Sequence, residues 1–162
     1  MALSTWWQDV EVSVITVLAA NADLAALGGK IEQAITDPFT DQELMGNDFP
    51  YIGIVAIGHG ADESNIVHTA QHVVEILVNV GVVGTPRLPT QRTVQQILAQ
   101  IAYVTLLERT GQRFSLQNAT GTIVDCRAGS STLNPSRSSE DSAAFLESGS
   151  TSIMIEYTLL GS

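Results

Sequence analysis

The sequence predicts an α+β domain with a mostly antiparallel sheet, a long central hairpin and two main helices packed on one face. Three observations support this class. Residues 51–83 contain two β-branched segments joined by a polar turn, two other segments have helical periodicity, and the remaining apolar segments are short. Strands joined by turns, with few helices between them, favour an antiparallel sheet. A chain of 162 residues is expected to form one domain with an ordinary hydrophobic core.

The central hairpin is predicted from alternating apolar and polar residues. Its first strand is Tyr51 to Ile57 and its second is Ile66 to Val83, with turn residues between Gly58 and Asn65. The even positions of the second strand are mostly apolar, and they are Ala70, Val74, Ile76, Val78, Val80 and Val82. A period of two assigns one face to the core and the other to water or a partner.

The first helix is predicted close to the N-terminus. Ser4 or Thr5 can cap it, and Thr5-x-x-Gln8 matches a capping box. The segment from Val10 to Val14 also alternates in the way a strand does. The alanine-rich continuation and the stop at Gly28-Gly29 favour a helix instead.

The second helix is predicted after a break in the chain at Gly84 to Pro89. Thr90 can cap it, or Thr93 can do so through the Thr93-x-x-Gln96 box. One stripe of this helix is Val94, Ile97, Leu98, Ile101, Val104 and Thr105, and the helix is expected to end near Arg109.

Three shorter strands and one loop complete the prediction. The strands are Lys30 to Thr36, Thr122 to Arg127 and Ser150 to Leu160. The segment from Gly129 to Gly149 is rich in serine and is predicted to be a long, flexible surface loop. Phe145 and Leu146 interrupt it, so we expect them to contact a neighbouring molecule.

The net charge of −10 lies entirely in the first half of the chain. Eleven acids and one base occur up to Pro86, whereas six acids and six bases follow from Arg87 onward. This balance disfavours wrapping of nucleic acid, which requires cations against the phosphates. The acids in predicted loops are candidates for a repulsive channel lining or an interface, and they are Asp37, Asp41, Glu43, Asp48, Asp62 and Glu63.

No segment predicts catalysis, a cofactor or a metal site. The loop acids lack the ligand spacing of an EF-hand. His68 and His72 would lie about 13 Å apart on a strand, at about 3.3 Å per residue, too far to share an ion. Cys126 is expected to pack as a small hydrophobe. We therefore expect a protein that is not an enzyme.

The compartment is predicted from what the sequence lacks. Cys126 is the single cysteine, so no disulfide within the chain is possible. The segment VITVLAANA imitates a signal peptide, but no positive charge precedes it. No apolar run approaches the length of a membrane span. The chain is expected to be soluble and intracellular when made, without a membrane partner.

The order of predicted elements and three segments resemble the tail terminator (tail completion) proteins of long-tailed bacteriophages. The segments are DFPYIGI at 48–54, HVVEILV at 72–78 and SIMIEY at 152–157, and the resemblance spans Ser4 to Leu160. It implies a homo-oligomeric ring, expected to be a hexamer, that caps the tail tube, ends its polymerisation and joins the head-side connector. The serine-rich loop departs from the family pattern.

The resemblance also implies partners and a location. The partners are further copies of the chain, the tail tube protein and the head–tail connector or stopper protein, with the tail sheath as a further candidate. DNA would pass through the ring without being bound specifically. The implied location is the neck of the virion, after assembly in the host cytoplasm.

Two other functions stay open. One is another phage neck component, such as a head-closure or connector protein. The other is a small α+β ligand-binding domain or enzyme, which would require a deep pocket with titratable groups of shifted pKa.

Overall fold

A computed structural model describes residues 5–33, 50–62, 71–84, 86–111, 114, 121–135, 137–138 and 145–159. Its strands are β1 Lys30–Gln33, β2 Tyr51–Asp62, β3 Gln71–Gly84, β4 Gly121–Leu133, β5 Arg137–Ser138 and β6 Phe145–Leu159. They form one sheet in the order β1-β2-β3-β6-β4, with β5 paired to β6. Among the described strands, β1 and β2 pair in parallel and the other pairs are antiparallel. The predicted α+β class is confirmed.

Strands β2 and β3 form the predicted long hairpin. The alternation in β3 is confirmed, since Val74, Ile76, Val78 and Val80 are fully buried and Val82 nearly so. A β-bulge between Ala56 and Gly58 shifts the register, and pairing then continues to Asp62. The turn predicted from Gly58 onward is therefore wrong for residues 58–62. A bulge accommodates one unpaired residue while the ladder on either side continues, so the glycines do not end the strand.

The serine-rich segment contains strands where one continuous loop was predicted. Strand β4 extends to Leu133, β5 covers residues 137–138, and β6 begins at Phe145. Polar side chains bond across this segment: Ser131 Oγ of β4 donates to Thr151 Oγ1 of β6 at 2.9 Å, and Asn134 Nδ2, just after β4, donates to Ser148 Oγ of β6 at 3.2 Å. Because small hydroxyl side chains can bond across strands, serine content alone did not exclude a sheet.

The N-terminal helix is interrupted near its end. Helix α1 spans Trp6–Ala20 and helix α2 spans Ala22–Ala25. The predicted capping box is wrong, since the Thr5 side chain makes no cap hydrogen bond. Asn21 caps the start of α2, where its Oδ1 accepts the Leu24 N–H at 3.1 Å. Asn21 therefore ends α1 and begins α2 at one residue.

Gly28 and Gly29 connect α2 to β1, as the predicted helix stop required. Both have positive φ, 71° and 77°. A Cβ on Gly29 would overlap the Pro50 carbonyl, which accepts the Lys30 N–H at 3.0 Å. Only glycine permits this approach, and it sets the start of β1 beside the start of β2.

Helix α3 spans Arg87–Thr110 and begins before both predicted caps. Pro89 lies in the first turn, where the missing N–H removes no helical hydrogen bond. Thr90 and Thr93 therefore lie inside the helix. Their hydroxyls donate to the carbonyls of Pro86 and Pro89 at 2.9 and 3.1 Å, and the predicted caps are wrong.

Both main helices pack on one face of the sheet, as predicted. Helix α1 lies over β1 and β2, whereas α3 lies over β3, β6 and β4. Their buried residues join the inner residues of the strands in one core cluster, which includes Val10, Val14, Ile76, Ile97, Ile101 and Ile155. No helix in the described segments is long and apolar enough to cross a bilayer.

Candidate assembly surfaces

Most of the acids predicted to line a channel or an interface lie outside the described residues. They are Asp37, Asp41, Glu43, Asp48 and Glu63. Asp62 is the last residue of β2, and its backbone pairs with that of Gln71 at the start of β3. It belongs to a strand, whereas a turn was predicted there. The channel or interface role of these six acids stays a prediction.

Phe145 and Leu146 begin strand β6 instead of interrupting a loop. Phe145 pairs with Gly84 of β3, and Leu146 pairs with Val83. Both residues also pair with β5 on their other side. The sheet of their own subunit therefore holds their backbone, and their contact with a neighbouring molecule stays a prediction.

The strand order places the acidic half of the chain and the half without net charge at different ends of the sheet. The strands of the acidic half, β1, β2 and β3, are consecutive in the sheet, and β6 and β4 follow on the other side. Helix α1 covers the first side and α3 covers the second. The described elements before Arg87 contain six acids and one base, against four acids and five bases in those after it. One end of the sheet is therefore acidic and the other is not.

Two hollows open on the surface between α3 and β4, and the larger has a volume of about 300 Å³ and lies between the middle of α3 and the end of β4. Together they define the α3–β4 groove. Residues on its walls include Ala99, Ala102, Leu106 and Arg109 of α3 and Arg127 and Leu133 of β4. The two alanines leave room beside the helix, and Leu106 is 57% exposed.

The charged residues next to the groove are two arginines and two acids. Arg109 and Arg127 lie on its walls and are exposed. Asp125 is partly buried and lies 3.4 Å from Arg109 Nε, and it also accepts the Cys126 N–H. Glu108 accepts the Phe114 N–H at 2.8 Å. Because Arg109 pairs with Asp125 and Glu108 lies nearby, the two arginines and the two acids beside the groove balance in charge.

One carboxyl from α1 reaches the sheet at the β2 bulge. Glu11 is 8% exposed, and its Oε2 accepts the Ala56 N–H at 3.4 Å. Burial raises the pKa of this carboxyl above its ordinary value of 4.5, and the hydrogen bond from Ala56 partly offsets the rise. The contact fastens α1 to β2 at the point where the strand register changes.

Cys126 and His72, which were considered as a nucleophile and a metal ligand, contact neighbouring residues of the fold. Cys126 is buried, as predicted for a small hydrophobe, and its thiol donates to the Thr105 carbonyl at 3.6 Å. The ring of His72 lies 5.3 Å from that of Trp6, which stacks on Tyr157 at 5.6 Å. His68 is outside the described residues. Within the described segments, no group of three or more His, Cys, Asp or Glu could hold a metal ion.

The comparisons with known proteins identify a shared fold. No family model and no curated protein matches the chain. Among solved structures, the chain is similar to one from the "Virion of native gene transfer agent (GTA) particle". The two share 16% identity at a TM-score of 0.51, and the match covers 94% of this chain and 99% of the other. The likeness therefore concerns the whole arrangement of helices and strands.

The α3–β4 groove was not predicted from the sequence, although a signal for it was present. The buried stripe of α3 accounts for Val94, Ile97 and Ile101, but Leu106, which lines the groove, falls outside that stripe and is 57% exposed. Apolar residues beyond the core-facing stripe indicate a second surface on the same helix.

Proposed function

We propose that this chain is a structural protein of a phage-type virion. The observation that carries the proposal is the fold similarity to a chain of a gene transfer agent virion over nearly the full length of both chains. Fold similarity alone does not define function, since one fold can serve several functions. It agrees, however, with the resemblance of three sequence segments and of the element order to tail terminators.

Within the virion, the specific role that we propose is that of a tail terminator. Copies of the chain would form a ring, expected to be a hexamer, on the head-side end of the tail tube. The ring would end tube polymerisation and then bind the head–tail connector or stopper protein. A sheath, where the tail has one, would be a further partner. The protein would act without cofactor or catalysis, in the host cytoplasm during assembly and in the neck of the finished virion.

The described subunit has properties that suit a ring. A closed ring of identical subunits requires two different surfaces on each subunit, placed so that one meets the other on the next copy. The acidic α1–β1 end and the arginine-bearing α3–β4 end lie at opposite edges of the sheet, on the face that both helices cover. The net charge of −10 also suits a channel that DNA crosses without binding.

The test is electron microscopy of the purified protein, alone and mixed with purified tail tubes. Rings that cap one end of each tube are the expected result. Removing the gene from the particle that encodes it should give tubes of variable length and unjoined heads. Tubes of normal length together with unjoined heads would instead identify a head-closure or connector protein. Strictly monomeric protein that binds no tube would contradict the proposal.

A further inference from the structure

We propose that residues 34–49 cross the sheet on the face opposite α1 and α3, which we call the outer face, and that they bury Tyr51 there. Residues 34–49 lie outside the described segments, so the strands and the helix next to them carry the inference. It concerns a single subunit and is independent of the proposed ring.

The parallel pairing of β1 and β2 requires a connection that crosses the sheet. Strand β1 ends at Gln33 beside Ile54, whereas β2 begins at Tyr51 beside Lys30. The chain therefore has to return along β1 before it enters β2, and a connection between parallel neighbours passes over one face of the sheet. The return covers about 10 Å and the sixteen residues 34–49 can span about 50 Å when extended, so the segment is long enough to cross either face.

Helix α1 occupies the other face at this place. It packs over β1 and β2, and its Val10, Val14 and Leu18 are fully buried. Ile31 of β1 and Ile52 of β2 contact the same core cluster. A connection on that face would have to displace the helix, so the outer face is the one that remains for it.

The handedness of the two crossover connections leads to the same face. Strands β3 and β4 both run antiparallel to β6, so they are parallel to each other, and α3 connects them. The steps from β1 to β2 and from β3 to β4 have the same direction across the sheet, but β1 and β3 run in opposite directions. Connections between parallel strands are right-handed in nearly all proteins. Two right-handed connections with these directions lie on opposite faces, so residues 34–49 are expected opposite α3.

Tyr51 is buried on the outer face. It alternates with Ile52, which belongs to the core cluster under the helices, whereas Tyr51 does not. Its hydroxyl donates to Glu32 Oε1 at 2.8 Å, and Glu32 also pairs with Lys30 at 3.0 Å, so these three side chains share one face. The side chains of Lys30 and Glu32 are 46% and 35% exposed, whereas Tyr51 is 1% exposed.

The burial of Tyr51 requires further atoms over its ring. Glu32 reaches the hydroxyl, and the partner of Tyr51 in β3 is Gly81, which has no side chain. A buried side chain of this size contacts several other residues. Residues 34–49 lead directly into β2, and they contain Phe39, Leu44 and Met45 as apolar residues that can supply these contacts.

The same crossing would bring acids to the outer face. Residues 34–49 contain Asp37, Asp41, Glu43 and Asp48 and no base. These are four of the six acids predicted to line a channel or an interface. The outer face would then repel DNA and favour a cationic partner, whereas the helix-covered face would lack these charges.

Photo-crosslinking from position 51 tests which segment covers Tyr51. p-Azidophenylalanine, which is close to tyrosine in size, replaces Tyr51 in the full-length chain. Equal amounts of isotopically labelled and unlabelled protein are mixed and irradiated, so that crosslinks within one copy are distinguished from crosslinks between copies. We expect crosslinks within one copy to peptides from residues 34–49. The same replacement at Tyr103, which is 55% exposed on α3, should give none to that segment within one copy.

Nitration of the three tyrosines by tetranitromethane is the second measurement. Tyr51 and Tyr157 are buried on opposite faces of the sheet, and Tyr103 is exposed. Replacing residues 37–46 by a glycine-serine segment of equal length keeps the chain length and removes apolar contacts. Nitration of Tyr51 should then rise about tenfold or more, whereas that of Tyr103 should change by less than about twofold. Tyr157 should stay protected, because the helix-covered face is unaltered.

The two measurements together decide the inference. Crosslinks from Tyr51 that reach other parts of the chain but not residues 34–49, or that form only between copies, would overturn it. A Tyr51 that stays protected in the glycine-serine variant while Tyr157 is protected too would also overturn it. If Tyr157 becomes reactive, the variant has lost its fold, and crosslinking in the chain with its own residues 34–49 decides. None of these results bears on ring formation, so the proposed function would stand in each case.

Discussion

Arg87 Nε lies 3.3 Å from Glu147 Oε1, and this ion pair joins the first residue of α3 to the beginning of β6. The Glu147 side chain is only 1% exposed, whereas that of Arg87 is 59% exposed. A charged carboxylate in such a position is stable only where polar partners surround it. The pair therefore holds the start of α3 on the segment that was predicted to be a loop.

Arg87→Ala should lower the free energy of unfolding by about 1–2 kcal/mol. The carboxylate of Glu147 would lose a cation while staying buried, but the exposure of Arg87 screens part of the interaction. Arg92→Ala is the control, because Arg92 is an exposed arginine near the start of the same helix and should cost less than about 0.5 kcal/mol. Urea unfolding of both variants measures the difference, and equal values would argue against a stabilising role for the pair.

Glu11→Gln should stabilise the protein at pH 7 by about 1 kcal/mol, because the amide keeps an acceptor for the Ala56 N–H without a buried charge. The sign follows from the pKa, which burial raises in the folded state. The protonated Glu11 carboxyl contributes fully to stability at pH values below its ordinary pKa of 4.5. This contribution is lost as the pH rises through the higher pKa of the folded state. The advantage of glutamine should therefore shrink on acidification.

Thermal unfolding of Glu11→Gln and the unaltered protein between pH 4 and pH 8 measures this dependence. Asp23→Asn removes an exposed carboxylate nearby in the chain and should change stability by less than about 0.5 kcal/mol at pH 7. The prediction would be contradicted if the stability gained by Glu11→Gln over the unaltered protein were smaller at pH 7 than at pH 4.

Gly149→Ala should destabilise the protein by about 1–3 kcal/mol through overpacking. A Cβ at this position would lie 2.8 Å from the Thr132 carbonyl oxygen and 2.9 Å from Leu98 Cδ1, between β4 and α3. Gly58→Ala provides the control, since a Cβ there has no atom within 4 Å. Chemical denaturation compares the two variants. A tolerated Gly149→Ala would mean that α3 does not pack closely on this part of β6.

The parts of the fold that were predictable are those with one dominant periodicity. The inner residues of β3 alternate without interruption, and the apolar stripe of α3 recurs at helical spacing, so both were located by pattern alone. The boundaries were less predictable because they depend on pairing partners. The bulge before Gly58 lets β2 continue through glycines, and the hydroxyl of Ser131 finds that of Thr151 on a neighbouring strand. Neither relationship is local in sequence.

The candidate surfaces were less predictable than the fold, for a related reason. The acid count revealed an asymmetric charge, but only the strand order placed the two halves at opposite ends of one sheet. The α3–β4 groove brings together Ala99 and Leu133, two residues that are far apart in the sequence although α3 and β4 are consecutive elements. Composition records which residues are available, whereas a surface depends on which elements become neighbours.

The central position of β6 has a consequence for how the chain folds as it is synthesised. β6 is the last strand in chain order, yet it lies between β3 and β4 and pairs with both. Until β6 leaves the ribosome, the β1-β2-β3 unit has an open edge and β4 has no strand to join. Contacts so distant in sequence make this closure a late step. A prematurely terminated chain would therefore have neither a complete core nor an assembled groove, and quality control by proteases could remove it before it entered a growing particle.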